Sequence, residues 1–281
     1  MNTPVDHDRL FKELIPTFFE EFMLLFFPKA YEHIDFQHLH FLSEEIFTDV
    51  TAGEKYRVDL LIQTKLKGEK GLIVVHIETQ SYIQKSFNER MFLYFNRLYE
   101  KYRTKILPIT IFSYDTIRDE PQSFFIQFPF LNVLHFQFLT IELKKQNWRH
   151  YIRSENPVAS ALLSKMGYTK NERIEVKKEF FKMLIRMELD PARQHLIIGF
   201  FETYLKLSEQ EEEQMKNEVK KMNPKEGEKI MEIMTSYEKK GIKEGKVEIA
   251  KKMLMKGYDV ETVKEITELS LEEIDEIKRR V

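Results

Sequence analysis

Apolar residues recur at helical spacing between Asp6 and Phe27, with Leu14, Phe18, Phe22 and Leu25 on one stripe. That 3.6-residue recurrence predicts a helix. Asp8 is placed to cap its start. Pro16 falls inside the pattern, which predicts a late start or a kink, and Pro28 comes just past its end. Ile34 to Val50 alternates poorly, but Phe36, Leu39, Phe41, Ile46 and Phe47 suggest extended chain. Two apolar runs follow, Arg57 to Gln63 and Leu72 to Gln80, on either side of a loop from Lys67 to Gly71. Both read as strands. Tyr82 to Arg103 returns to helical spacing through Phe87, Met91, Phe95, Leu98 and Tyr102, and Leu107 to Tyr114 is a strand of buried type. The order helix, three strands, helix, strand predicts an α/β core.

Phe124 to Leu143 leans towards β structure, and beyond Trp148 the pattern is helical over Ala159–Met166, Glu175–Met187 and Arg193–Leu207. Composition then breaks: every phenylalanine lies at or before Phe201, and Glu, Lys, Met and Ile dominate after Leu207. The segment Glu209–Lys221 is a charge run suited to a solvated helix face. A lysine- and glycine-punctuated stretch runs from Lys239 to Lys246, and Gly257–Val281 reads as two short helices joined by a turn. A two-helix cap or oligomerisation tail is preferred there over a helix-turn-helix, because arginines that could read a groove are confined to Arg279 and Arg280. The expected organisation is a core at 1–150, a helical extension at 151–207 and a charged helical tail at 208–281.

With 281 residues, 42% hydrophobic and 32% charged, the chain can bury a real core. Net charge is −2, so any surface for nucleic acid must be a local basic patch. The absence of cysteine excludes disulfides and thiolate metal sites. The N-terminus has no apolar signal region and no stretch reaches membrane-spanning length, so a cytoplasmic protein without a membrane partner is expected.

Candidate chemistry sits on the two central strands. Asp59 interrupts an apolar run, and such an acid either faces water at an edge or binds something. Glu78 and Gln80 are two apart, so they share one face of a strand, and His76 shares it with them. Two carboxylates on neighbouring strands, with waters, suit Mg²⁺. Glu21 lies on the helix stripe, three after Phe18 and four before Leu25, as a third acid or as a boundary residue reaching water. Arg90, Tyr94, Arg97 and Lys101 recur as a polar helix stripe that could grip a phosphodiester backbone, with Lys85 a further phosphate contact.

The Asp on the second strand and the Glu-x-Gln on the third resemble the PD-(D/E)XK nuclease superfamily. More narrowly, the chain resembles the recombination-promoting nuclease (Rpn) family of bacteria. The resemblance rests on His7 to Lys12, Arg57 to Leu61, Glu78 to Ser81, Arg90 to Tyr94, Pro108 to Thr110 with Ile111, and the tail ending in Leu269 to Ile274. It implies a restriction-endonuclease-like αβββαβ core with a helical C-terminal region. It implies a DNA endonuclease in which Asp59, Glu78 and the Thr79 carbonyl hold Mg²⁺, or Mn²⁺ or Ca²⁺. Gln80 stands where the superfamily has lysine, and Glu21 is the helix-borne acid. Arg90, Tyr94, Arg97 and Lys85 would contact DNA, in a role linked to recombination or transposition. Cutting both strands is easiest with two sites, which suggests a homodimer. The alternative is a catalytically degenerate nuclease fold that binds nucleic acid or protein.

Overall fold

The computed structural model describes residues 7–42, 46–48, 55–57, 60–69, 73–80 and 86–280. The chain opens with three short helices, α1 (His7–Thr17), α2 (Phe19–Phe26) and α3 (Pro28–His33). The interruption predicted at Pro16 falls two residues later, at Phe18, whose backbone leaves the helical region (φ −131°, ψ 40°). Pro28 comes just past the end of α2, as expected, and also starts α3, as a residue without a free N–H can at a first helical position. Asp8 lies within the first turn of α1, not before it.

The strands are β1 (Ile34–Leu42), β2 (Ile46–Thr48), β3 (Lys55–Arg57), β4 (Leu60–Leu66) and β5 (Ile73–Gln80), followed by helix α4 (Phe87–Tyr102) and strand β6 (Lys105–Phe112). Strands β7 (Ser123–Phe128), β8 (Leu131–Gln137) and β9 (Leu139–Glu142) follow. Five strands form one sheet in the order β1-β4-β5-β6-β9. The first two pairings are antiparallel and the last two parallel. The turn from β4 carries Gly68 at φ +78°, a conformation that favours glycine. Strands β2 and β3 pair with each other, as do β7 and β8.

Alternation divides the central strands between two faces. Ile62, Val75, Ile77, Ile109 and Ile111 share one face and are essentially inaccessible to water. Leu61 opposite His76, and Phe112 beside Gln80, lie on the other. Helix α4 covers that second face. Its Phe87, Met91, Tyr94 and Leu98 pack with Leu61, Phe112, Tyr114, Phe136 and Phe138 in one cluster.

Helices α5 (Pro157–Leu162), α6 (Arg173–Met187) and α7 (Pro191–Tyr204) extend the same compact unit, Met1–Glu213. Phe180 stacks on Phe201 at 3.8 Å between α6 and α7, and Phe11 of α1 meets Phe200 edge-on at 5.1 Å. Helices α8 (Glu209–Lys220), α9 (Pro224–Met255), α10 (Val260–Thr267) and α11 (Leu271–Arg280) follow, and the second unit is Gln214–Val281. The glycine-punctuated basic stretch lies inside the 32-residue α9. The N-terminal half of α9 passes close to α8: a Cβ at Gly227 would come within 2.8 Å of the Val219 carbonyl oxygen. Its C-terminal half joins α10 and α11 around Ala250, Val263, Leu269, Ile274 and Ile277. No helix among the described residues is long and apolar enough to cross a membrane.

Candidate functional site

His76, Glu78 and Gln80 occur at alternate positions of β5 and therefore project from the α4 side of the sheet. All three are buried, Glu78 being only 3% exposed. Glu78 Oε2 lies 3.4 Å from His76 Nε2, and the His76 ring meets the Tyr94 ring edge-on at 5.8 Å. Arg90, in the first turn of α4, brings a guanidinium nitrogen to 3.8 Å from Glu78 Oε1. Its guanidinium lies over the rings of Phe87, at 5.0 Å, and Tyr94, at 5.8 Å. Glu78 thus sits between an imidazole below and a cation held over two aromatic faces, an arrangement that offsets the cost of burying its charge.

The Gln80 side-chain amide donates to the Thr79 carbonyl at 3.0 Å, leaving its own Oε1 buried without a hydrogen-bond partner. The Gln80 carbonyl accepts from Ser113 through both the backbone N–H, at 2.8 Å, and Oγ, at 3.2 Å, tying the ends of β5 and β6 together. Thr110 of β6 is in register with Glu78, and its hydroxyl oxygen is likewise buried and unpartnered. Sequence reasoning missed Thr110. The available signal was a lone hydroxyl in the apolar run from Leu107 to Phe112. Arg90 Nε is a third buried polar atom without a hydrogen bond. Just beyond, burial pushes the Tyr114 hydroxyl up to about 12, aided by Glu120 and opposed by Arg118 and Arg90. These orphaned oxygens beside a buried carboxylate form the kind of oxygen-rich donor set that a hard divalent cation takes.

Other expected residues lie elsewhere. Asp59 and Lys85 fall outside the described residues. Tyr94 is 4% exposed and supports His76 and Arg90 from within the core, because α4 turns that position towards the sheet. A surface DNA contact from its ring does not fit that burial. Arg97 is half-buried and Lys101 exposed on the same helix. Glu21 is half-buried in α2, where its backbone carbonyl accepts from Asn156 Nδ2 at 2.8 Å. The Tyr31 hydroxyl is raised, first by its hydrogen bond to Glu20 and to a lesser degree by the charges of Glu20 and Glu21. The break at Phe18 resets the helical phase, so the buried stripe of α2 is Phe19, Phe22 and Met23, with Glu21 at its margin. No three His, Asp or Glu side chains among the described residues gather as metal ligands, so Glu21 does not complete a set with His76 and Glu78.

The C-terminal unit has plain local caps. Asp259 accepts from the Thr262 N–H at the start of α10, and Ser270 and Glu273 exchange backbone-to-side-chain bonds at the start of α11. Lys243 pairs with Glu273 at 2.6 Å, joining α9 to α11. Residues 243–279, covering the end of α9 with α10 and α11, match the family model described as "Rpn/YhgA-like nuclease family, C-terminal HTH domain". Residues 5–112 match the model described as "Putative transposase, YhgA-like". The chain belongs to the Rpn/YhgA-like family. The two matches fall at opposite ends of the chain and together cover just over half of it. The comparisons with curated proteins and with solved structures found no match. The helix-turn-helix match overturns the preference for a two-helix cap. The number of arginines does not decide the matter, because the helical packing and turn define the module whatever its charge. The acids Glu272, Glu273, Asp275 and Glu276 in fact fill the start of α11.

Proposed function

We propose that this Rpn/YhgA-like chain is a divalent-metal-dependent deoxyribonuclease whose core is of the PD-(D/E)XK type. Support comes from the sheet: β1, β4 and β5 run antiparallel, and α4 then crosses to the parallel β6, in keeping with an αβββαβ plan. The observation that carries the reading is the β4–β5 register around buried Glu78. Leu61 faces His76 and Leu60 faces Ile77, so one further rung would set position 59 against Glu78. Asp59 occupies that position.

In this reading Asp59, Glu78 and the Thr79 carbonyl hold the ion, with Gln80 Oε1 available beside them. A divalent cation there supplies an activated water and offsets charge on the phosphate. His76 orients the Glu78 carboxylate. Gln80 is neutral and can only position groups by hydrogen bonds. Arg90 therefore provides the fixed positive charge that the Glu-x-Gln motif lacks, placed to face a phosphate oxygen as it gains charge. Arg97 and Lys101, further along α4, steady the DNA backbone. The cut would serve recombination or transposition, in keeping with the family description. The test is nicking of supercoiled plasmid with Mg²⁺ by the wild type, Asp59→Asn and Glu78→Gln. Equal rates in all three would sink the assignment.

The 3.8 Å approach of Arg90 to Glu78 also favours a second reading, a fold whose internal cation has replaced the metal and which only binds nucleic acid or protein. Thermal denaturation with Mn²⁺ separates the two. Stabilisation by mass action that is lost in Glu78→Gln supports the nuclease, and an unchanged melting temperature supports the binding module.

A further inference from the structure

From Pro121 to Ile141 the sequence carries no charged side chain, in a chain that is 32% charged. Most of this stretch folds as the β7–β8 ribbon, whose strands pair only with each other among the described residues. The base of the ribbon is anchored. Phe124 stacks on Phe92 of α4 at 5.3 Å, Phe136 contacts Phe92 and Phe95, and Asn88 Nδ2 donates to the Ser123 carbonyl at 2.9 Å. The tip is not covered. Phe130 is 84% exposed, and Phe125, Ile126, Phe128, Leu131 and Val133 are each at least 40% exposed. Two ring pairs hold this surface in shape, Phe128 on Phe130 at 5.7 Å and Phe125 on His135 at 4.3 Å.

Ile126 alternates to the α4 side with Phe124; with roughly 200 Å² for a whole aromatic side chain and somewhat less for an aliphatic one, the other five residues present about 500 Å² of apolar surface. That is the upper end of what a monomer normally shows. The absence of any cation within the ribbon argues against a phosphate backbone as the occupant, since nucleic-acid surfaces depend on Lys and Arg. It also removes the basic residues that hold a protein at an anionic lipid surface.

We infer that the β7–β8 ribbon is the contact through which two copies of this chain form a dimer. A twofold contact pairs a patch with itself, so a neutral patch meets a neutral patch and no complementary charge is needed. Two such patches bury about 1,000 Å² in all, which reaches the lower bound for a biological interface. An apolar, charge-depleted centre is the composition found at homodimer contacts. Among the described residues no strand pairs with the ribbon's outer edges, whose backbone groups a second ribbon can satisfy. The stacked ring pairs reduce the side-chain freedom lost on contact. This inference does not depend on the nuclease reading, because the ribbon contains none of the residues assigned to that site.

The experiment is sedimentation velocity of the full chain from nanomolar to high micromolar concentration, comparing wild type with Phe128→Glu/Phe130→Glu. The expected result is a wild-type dimer and a variant whose dimer dissociation constant rises by about 100-fold or more, with an unaltered circular dichroism spectrum. A wild type that stays monomeric throughout overturns the proposal, and so does a variant that dimerises as well as wild type. Should the variant not fold, hydrogen exchange on the wild type decides: amides of 123–137 must exchange more slowly at high protein concentration than at low. Concentration-independent exchange there rejects the contact. Flotation of a monomeric wild type with phosphatidylcholine vesicles would identify a lipid occupant and equally reject it.

Discussion

Glu78 is a carboxylate almost removed from water, and removing such a charge from water costs several kcal/mol unless neighbours compensate. His76 and Arg90 are neighbours that do so. Glu78→Gln is expected to lower plasmid cleavage by about 10³-fold, the rate equivalent of losing several kcal/mol of transition-state stabilisation. Arg90→Met keeps the packing over Phe87 and Tyr94 but removes the charge. Its expected signature is opposite on two measurements: Mn²⁺ binds more tightly by calorimetry, because a competing cation is gone, while the cleavage rate falls. A parallel fall in both would mean that Arg90 only props up the fold. At this scale the sequence showed which face His76, Glu78 and Gln80 share, because strand alternation needs no tertiary information. It did not show that Tyr94 belongs to the core, since the stripe through Arg90, Tyr94 and Arg97 sits beside the apolar one and the boundary between them is drawn by packing. Nor did it show Thr110, whose significance comes from its register with Glu78.

At the level of elements, the start of α6 offers a titratable handle. Thr169 and Glu172 form a reciprocal capping box, and Glu172 also pairs with Arg149. The Thr169 backbone N–H, then its hydroxyl and Arg149, hold the Glu172 carboxyl down to about 2. A carboxyl whose folded pKa is depressed adds stability above its unfolded pKa and loses it as pH falls through the folded value. Glu172→Ala is therefore expected to lower stability by about 1 kcal/mol at pH 7, as loss of a cap does. The deficit should shrink between pH 4.5 and about 2, read from urea melts at each pH. The contact between α6 and α7 depends on the stack of Phe180 on Phe201. Phe180→Ala should cost about 3–5 kcal/mol in the same assay. Long periodic helices such as α4 and α6 were legible from apolar spacing. The division of the first helical segment into three was not, because a proline can end a helix, as near Pro16, or begin one, as at Pro28. Helix α9 continues through the lysine- and glycine-punctuated stretch, because a helix interior tolerates glycine at a modest cost.

Over the whole molecule, charge is dispersed: the net value is −2 and the start of α11 is acidic. The helix-turn-helix module therefore cannot rely on the first turn of α11 for attraction to phosphate. The exposed lysines Lys251 and Lys256 at the end of α9 are better placed for it. Lys251→Glu/Lys256→Glu should weaken DNA binding uniformly across sequences and flatten the salt dependence by about two units of slope, measured by anisotropy titrations at several salt concentrations. Helix α9 itself is about 48 Å long at the standard rise per residue. Its two ends are packed, but every residue from Glu238 to Gly245 is exposed, and neither Gly241 nor Gly245 has an atom close enough to fill the place of a side chain. Each glycine there weakens the helix by about 1 kcal/mol relative to alanine. The rod consequently has a fuse in its middle. Brief trypsin treatment of the native protein should sever it first after Lys239, Lys240 or Lys243, and Gly241→Ala/Gly245→Ala should lengthen the life of the intact chain severalfold.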